Sequence, residues 1–155
     1  MKLIEQVEPY KAFPSEGTAR STEQMPLLIQ EGRYPLSVAG LMENRLEASS
    51  SQDEEIRMNW LHNYFFTGDG SARRKDRRLK VIFDSEELRK IDLSTELSNG
   101  AIPQSEELYL QQTGVELTPG EVEEYTGKLL TKQEARDNRL WRMLARDPDE
   151  VPKEV

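Results

Sequence analysis

Two adjoining stretches of this sequence hold the side chains best able to do chemistry. Thr67-Gly68-Asp69-Gly70 sets one carboxylate between two glycines. Such a segment lets a ligand approach the backbone while Asp69 accepts its hydrogen bonds, and it equally well makes a tight turn. Residues 73–80 follow, with Arg73, Arg74, Lys75, Arg77, Arg78 and Lys80 against the single acid Asp76, a local charge of +5. Guanidinium groups hold phosphates and carboxylates through paired hydrogen bonds, so this block suits a nucleic-acid backbone or an acidic protein surface. The chain as a whole carries −8, which leaves −13 outside the block. A cationic patch on an acidic body implies a partner, and the −13 remainder disfavours one as anionic as DNA lying broadly across the protein.

The run Tyr64-Phe65-Phe66-Thr67-Gly68-Asp69-Gly70-Ser71-Ala72-Arg73-Arg74 resembles the TGDGARR segment of acyl-CoA synthetases. The resemblance covers about a dozen residues. It implies that Asp69 would hold the ribose hydroxyls of a nucleotide, with Thr67 beside it. This chain lacks that family's Ser/Thr/Gly-rich phosphate loop and its continuation beyond the two arginines. A second likeness, to the TGDG of P-type ion pumps, lacks the accompanying DKTG.

Other routes to catalysis are narrow. There is no cysteine, so disulfides, thiolate zinc sites and thiol nucleophiles are excluded. His62 is the one histidine, which rules out a metal site built on several imidazoles. A nucleophilic serine in the G-x-S-x-G turn is absent; Ser37 has Pro35 where the first glycine belongs. The acids Glu121, Glu123 and Glu124 read as the start of a helix with a solvated face.

The elements that must position these groups show in the periodicity. Leu36, Ala39, Met42 and Leu46 recur at helical spacing after Pro35, predicting a helix that ends near Ala48. Ser51 and Glu54 have capping-box spacing, and Ile56, Trp60 and Tyr64 with Leu61 and Phe65 predict a second helix with an aromatic stripe. Leu79, Val81 and Phe83 alternate with Lys80, Ile82 and Asp84, which predicts a strand. A partner from Gly70 to Arg74, turning at Lys75-Asp76-Arg77, completes a hairpin whose Arg78 and Lys80 face outward. Further on, G-x-x-L-T-x-x-E occurs twice, from Gly114 to Glu121 and from Gly127 to Glu134. In each copy the glycine is expected to end a helix and the Thr–Glu pair to cap the next. A last helix is expected from Lys132 to Arg146, with Leu140, Trp141 and Leu144 facing the core.

The fold expected is α+β: one helix-rich domain over residues 25–146 with a small antiparallel hairpin at about 70–83. An irregular arm over 1–24 and a frayed acidic tail over 147–155 flank it. The N-terminus has no signal-peptide core and no apolar run spans a bilayer, so the expectation is a soluble, cytoplasmic protein away from membranes. The function expected is a non-enzymatic interaction or regulatory protein without cofactor or metal. It would bind through Arg73, Arg74, Lys75, Arg77 and Arg78 with the adjoining Thr67 and Asp69, its partner an acidic protein surface or a second copy. The first alternative is nucleic-acid binding by the same hairpin and its neighbouring aromatics. The second is a nucleotide-binding enzyme centred on Thr67, Asp69 and His62.

Overall fold

The computed structural model describes residues 20–62 and 65–151. Most of the expected N-terminal arm, Tyr64 of the aromatic stripe, and the tail from 152 onward lie outside them. The described residues form an α+β structure of eight helices and one three-stranded antiparallel sheet. None of those helices is long and apolar enough to cross a membrane. Where the sequence suggests one body, the described residues divide into two compact units, one holding those up to 68 and 86–102, the other 69–85 and those from 103 to 151.

The first unit is helical. Helix α1 (Ser21–Gln30) buries Met25 and Leu28 together with Ile91, with Ile102 packed beside them. It ends in the pattern that a left-handed residue permits: Gly32 (φ +72°) donates to the Ile29 carbonyl and Arg33 donates to the Leu28 carbonyl. Helix α2 (Val38–Ser49) is capped by Ser37, whose Oγ accepts from the Gly40 N–H at 3.0 Å. Its buried face is Leu41, Asn44 and Ala48, and Leu46 of the expected stripe is 73% exposed. The face that packs on Trp60 is the buried one: the indole is 1% exposed and clusters with Leu41 and Ala48. Helix α3 (Glu54–His62) carries Trp60, and the Phe65 ring stacks on it at 5.1 Å. Arg45 joins the two helices, its Nε donating to the Trp60 carbonyl at 3.0 Å and its guanidinium lying over Phe65. The cap of α3 is Asp53, whose Oδ1 accepts from the Glu55 and Ile56 N–H groups; Ser51, the expected cap, instead accepts from Asp53 N–H. A carboxylate two residues nearer the helix outcompetes the serine. Helix α4 (Glu86–Arg89) completes this unit.

The second unit is built on the sheet. Strands β1 (Gly70–Arg73) and β2 (Leu79–Ile82) form the expected hairpin, and β3 (Val115–Leu117) adds to the far side of β2. With strands on both sides and helices over both faces, β2 is buried at all four residues, Leu-Lys-Val-Ile. Leu79 and Val81 face Leu117 and Met143, around which Val122, Tyr125, Leu140 and Leu144 gather from helices α6 (Pro119–Tyr125) and α8 (Arg139–Leu144). Ile82 and Ala72 face Tyr109 of helix α5 (Glu106–Gln111). Both Thr–Glu pairs form capping boxes as expected, Thr118–Glu121 on α6 and Thr131–Glu134 on helix α7 (Lys132–Asp137). Gly127 (φ +76°) follows α6 in the left-handed conformation.

Three differences from the sequence reading have clear causes. Gly114 ends no helix through a positive φ; it precedes β3, where a Cβ would sit 2.3 Å from the Val81 carbonyl oxygen. The expected last helix is broken at Asn138, which leaves the helical region (ψ 118°) and caps α8 by accepting from Trp141 N–H. The break turns Met143 into the core and leaves Trp141 40% exposed. Residues 147–151, expected to fray, are tied down: Arg142 pairs with Asp147 and Glu150, and Arg139 bridges Glu150 to Glu121.

Gly114→Ala is expected to destabilise the protein by about 1–3 kcal/mol in urea unfolding, because the methyl meets backbone. Gly120→Ala has no atom nearer than 4.0 Å to its new Cβ. It should gain about 0.5 kcal/mol by removing unfolded-state freedom. Equal effects at the two positions would contradict the close approach at Gly114.

Candidate functional site

The hairpin's basic residues are separated by their surroundings into two sets. The turn begins with Arg77 N–H donating to the Arg74 carbonyl at 3.0 Å and Arg74 N–H donating to the Arg78 carbonyl at 2.9 Å. This places Arg77 at φ +70°, a conformation glycine takes freely and an arginine takes at a cost. Asp76 braces the turn, its Oδ1 accepting from Arg78 N–H and its Oδ2 lying 3.3 Å from Arg78 Nε.

Arg74, Arg78 and Lys80 are engaged within the unit. Arg74 donates to Glu106 in the first turn of α5 and lies over the Tyr109 ring. Arg78 Nη1 donates to Glu116 on β3 at 3.2 Å. Lys80, expected to face solvent, is 8% exposed, because the outward face of the hairpin is roofed by α5. Its ammonium donates to the Tyr109 carbonyl and, at 2.9 Å, to the Gln112 carbonyl, and it sits 4.5 Å from the Tyr109 ring centroid. A buried cation is tolerated here because the C-terminal carbonyls of a helix end and a ring face receive it. Tyr109 in turn donates to Glu116 at 2.8 Å. Burial, followed by that bond to the negative Glu116, pushes the Tyr109 phenol up to about 12. The phenol hydrogen bond, with Arg78 and against some burial, holds the Glu116 carboxyl below its usual range.

Arg73, Lys75 and Arg77 form the other set. All three are exposed, and among the described residues no ion pair reaches them.

The TGDG segment spans the division between the units. Thr67 is half-buried and Gly68 is packed on Pro35, its N–H donating to the Leu36 carbonyl at 2.7 Å. The Asp69 carboxylate is 1% exposed; its Oδ1 accepts from Asp84 N–H at 3.0 Å and from Arg146 Nη2 at 2.8 Å. Arg146 also lies over the Phe83 ring at 4.2 Å. Asp69 thus clamps the base of the hairpin to Arg146, two residues beyond the end of α8. His62 is exposed at the end of α3. Of the aromatics that base stacking would use, Trp60 is in the core with Phe65 stacked on it, while Phe66 is exposed. The partners of Lys80 and Arg146 come from segments more than two dozen residues away in the chain, a separation that no local sequence pattern marks.

Comparison with family models, with curated proteins and with solved structures finds no match to this chain.

Arg146→Ala removes the cation from the buried Asp69 carboxylate, which keeps the Asp84 N–H. Loss of one partner of a buried pair is expected to cost about 3 kcal/mol, at the low end of its range because Arg146 keeps 27% exposure. Denaturant unfolding within 0.5 kcal/mol of wild type would remove the clamp.

Acid should weaken the fold for a related reason. Glu116, Glu121, Glu134 and Asp147 all have lowered folded-state pKa values. For Glu121, burial opposes the change and the Thr118 N–H with Arg139 overcomes it; for Glu134 the Thr131 N–H leads, and for Asp147 the Asp149 N–H. A carboxyl with a lowered folded pKa contributes stability above its unfolded value and loses it as pH falls through the folded one. Melting temperature should therefore fall below about pH 4.5, and Glu116→Gln should flatten that fall. A melting temperature constant from pH 6 to pH 3 would contradict it.

Proposed function

We propose that this chain is a non-enzymatic binding protein that docks an acidic partner protein on Arg73, Lys75 and Arg77 at the hairpin tip. The observation that carries this reading is Arg77. A hairpin turn of this geometry favours glycine at that position, and arginine there sacrifices about 1 kcal/mol or more of local stability. Unfavourable backbone geometry retained at an exposed basic residue is the kind of cost that a contact explains. Arg73 and Lys75 lie beside it with the same charge and the same exposure.

Arg74 and Arg78 are excluded from the contact because their charges complete ion pairs with Glu106, Asp76 and Glu116. Asp69 supports the hairpin's base instead of contributing to the surface, and Thr67 is half-buried. The acidic remainder of the chain favours a protein partner over nucleic acid, since bound phosphates would meet repulsion beyond the tip.

The test is affinity capture from a lysate of the source organism with three proteins. Arg73→Glu/Lys75→Glu/Arg77→Glu should lose the captured partner while its melting temperature stays within a few degrees of wild type. Arg77→Gly should melt higher, by an amount equivalent to about 1 kcal/mol, and capture less. Undiminished capture by the triple variant would overturn the reading. A mobility shift of bare nucleic acid that weakens steeply with salt would replace it with the nucleic-acid alternative.

A further inference from the structure

We infer that β1 is a docking edge on which an extended acidic peptide segment adds as a fourth strand of the sheet. The inference rests on the reading of the basic tip just given and specifies how the partner is held. Strand order β1-β2-β3 leaves β1 at an edge. The bond from Arg74 N–H to the Arg78 carbonyl lies on the same register as the Gly70↔Ile82 and Ala72↔Lys80 pairs. Antiparallel pairs alternate between bonded and non-bonded, so Gly70, Ala72 and Arg74 bond toward β2. The N–H and C=O of Ser71 and Arg73 therefore point away from the sheet.

The other side of β2 agrees with this phase. Leu79 and Val81, the residues opposite Arg73 and Ser71, are left to bond β3, where they pair with Leu117 and Val115. Ser71 and Arg73 are exposed, and among the described residues no hydrogen bond from outside the ladder reaches their backbone. Four outward polar groups in a row are a template for one more strand.

Charge selects the occupant. A segment lying along β1 runs past the Arg73 side chain and then past Lys75 and Arg77 at the tip, so acidic side chains at alternate positions are favoured. The β1 edge of a second copy would instead bring its own arginines to this basic edge.

The experiment measures fluorescence anisotropy of a fluorescein-labelled peptide of alternating Glu and Val. A second peptide of identical charge is N-methylated at every other residue, which removes the donors on the pairing edge. The parent peptide should bind at low salt, and the methylated one should bind roughly tenfold or more weakly. Ser71→Pro removes an outward N–H at an edge position that tolerates proline, and should produce a similar loss; Ser71→Ala should not. Equal binding of the two peptides overturns strand addition and leaves the charged contact standing. Failure of the parent peptide to bind also overturns strand addition, whereas the tip reading stands or falls on partner capture. A dimer in sedimentation that Ser71→Pro dissociates overturns it in favour of self-pairing.

Discussion

The buried ammonium of Lys80 is the constraint from which the second unit follows. A strand flanked on both sides and covered on both faces has no solvent for a lysine, yet β2 carries one in its second position. The charge is accepted because α5 ends directly above it and turns the Tyr109 and Gln112 carbonyls onto the ammonium. That requirement fixes where α5 lies on the sheet. The position of α5 brings Glu106 to Arg74 and the Tyr109 hydroxyl to Glu116. Glu116 in turn receives Arg78 across from β3. One buried cation thus organises the charges of the hairpin, and a lysine without those carbonyls would be too costly to bury.

The same organisation separates structural charge from available charge. Six basic residues in eight look uniform in sequence. Folded, three of them face acids, carbonyls or a ring supplied by α5 and β3, and the other three project from the edge strand and the turn. Asp69 falls on the structural side as well. Its carboxylate, which the short TGDG resemblance would assign to a nucleotide, is held by Arg146 and the Asp84 amide instead.

What the sequence made legible was local. The hairpin register follows from the alternation of Leu79, Val81 and Phe83, and both Thr–Glu caps follow from spacing alone. The distant pairings were not legible. Val115 to Leu117 is only three residues long, and its leucine matched the joint pattern seen again at Leu130, so nothing marked it as a strand. Lys80 alternates with apolar residues as an outward residue of a two-stranded hairpin would; a third strand and a helix roof reverse that meaning. Leu46 has the right spacing for the core of α2 and faces out, because the packing of Trp60 on Ala48 outweighs a weak periodic signal. The break at Asn138 is a similar case: its side chain caps a new helix, which continuous periodicity from 132 to 146 concealed.

The account stands on β2 being a central strand and β1 an edge whose backbone alternates. Amide hydrogen exchange followed residue by residue reads this directly. The account predicts slow exchange at all four β2 amides, Leu79 to Ile82, and at Ala72, with fast exchange at Ser71 and Arg73. Slow exchange at Ser71 and Arg73, or fast exchange at Leu79 and Val81, would contradict it.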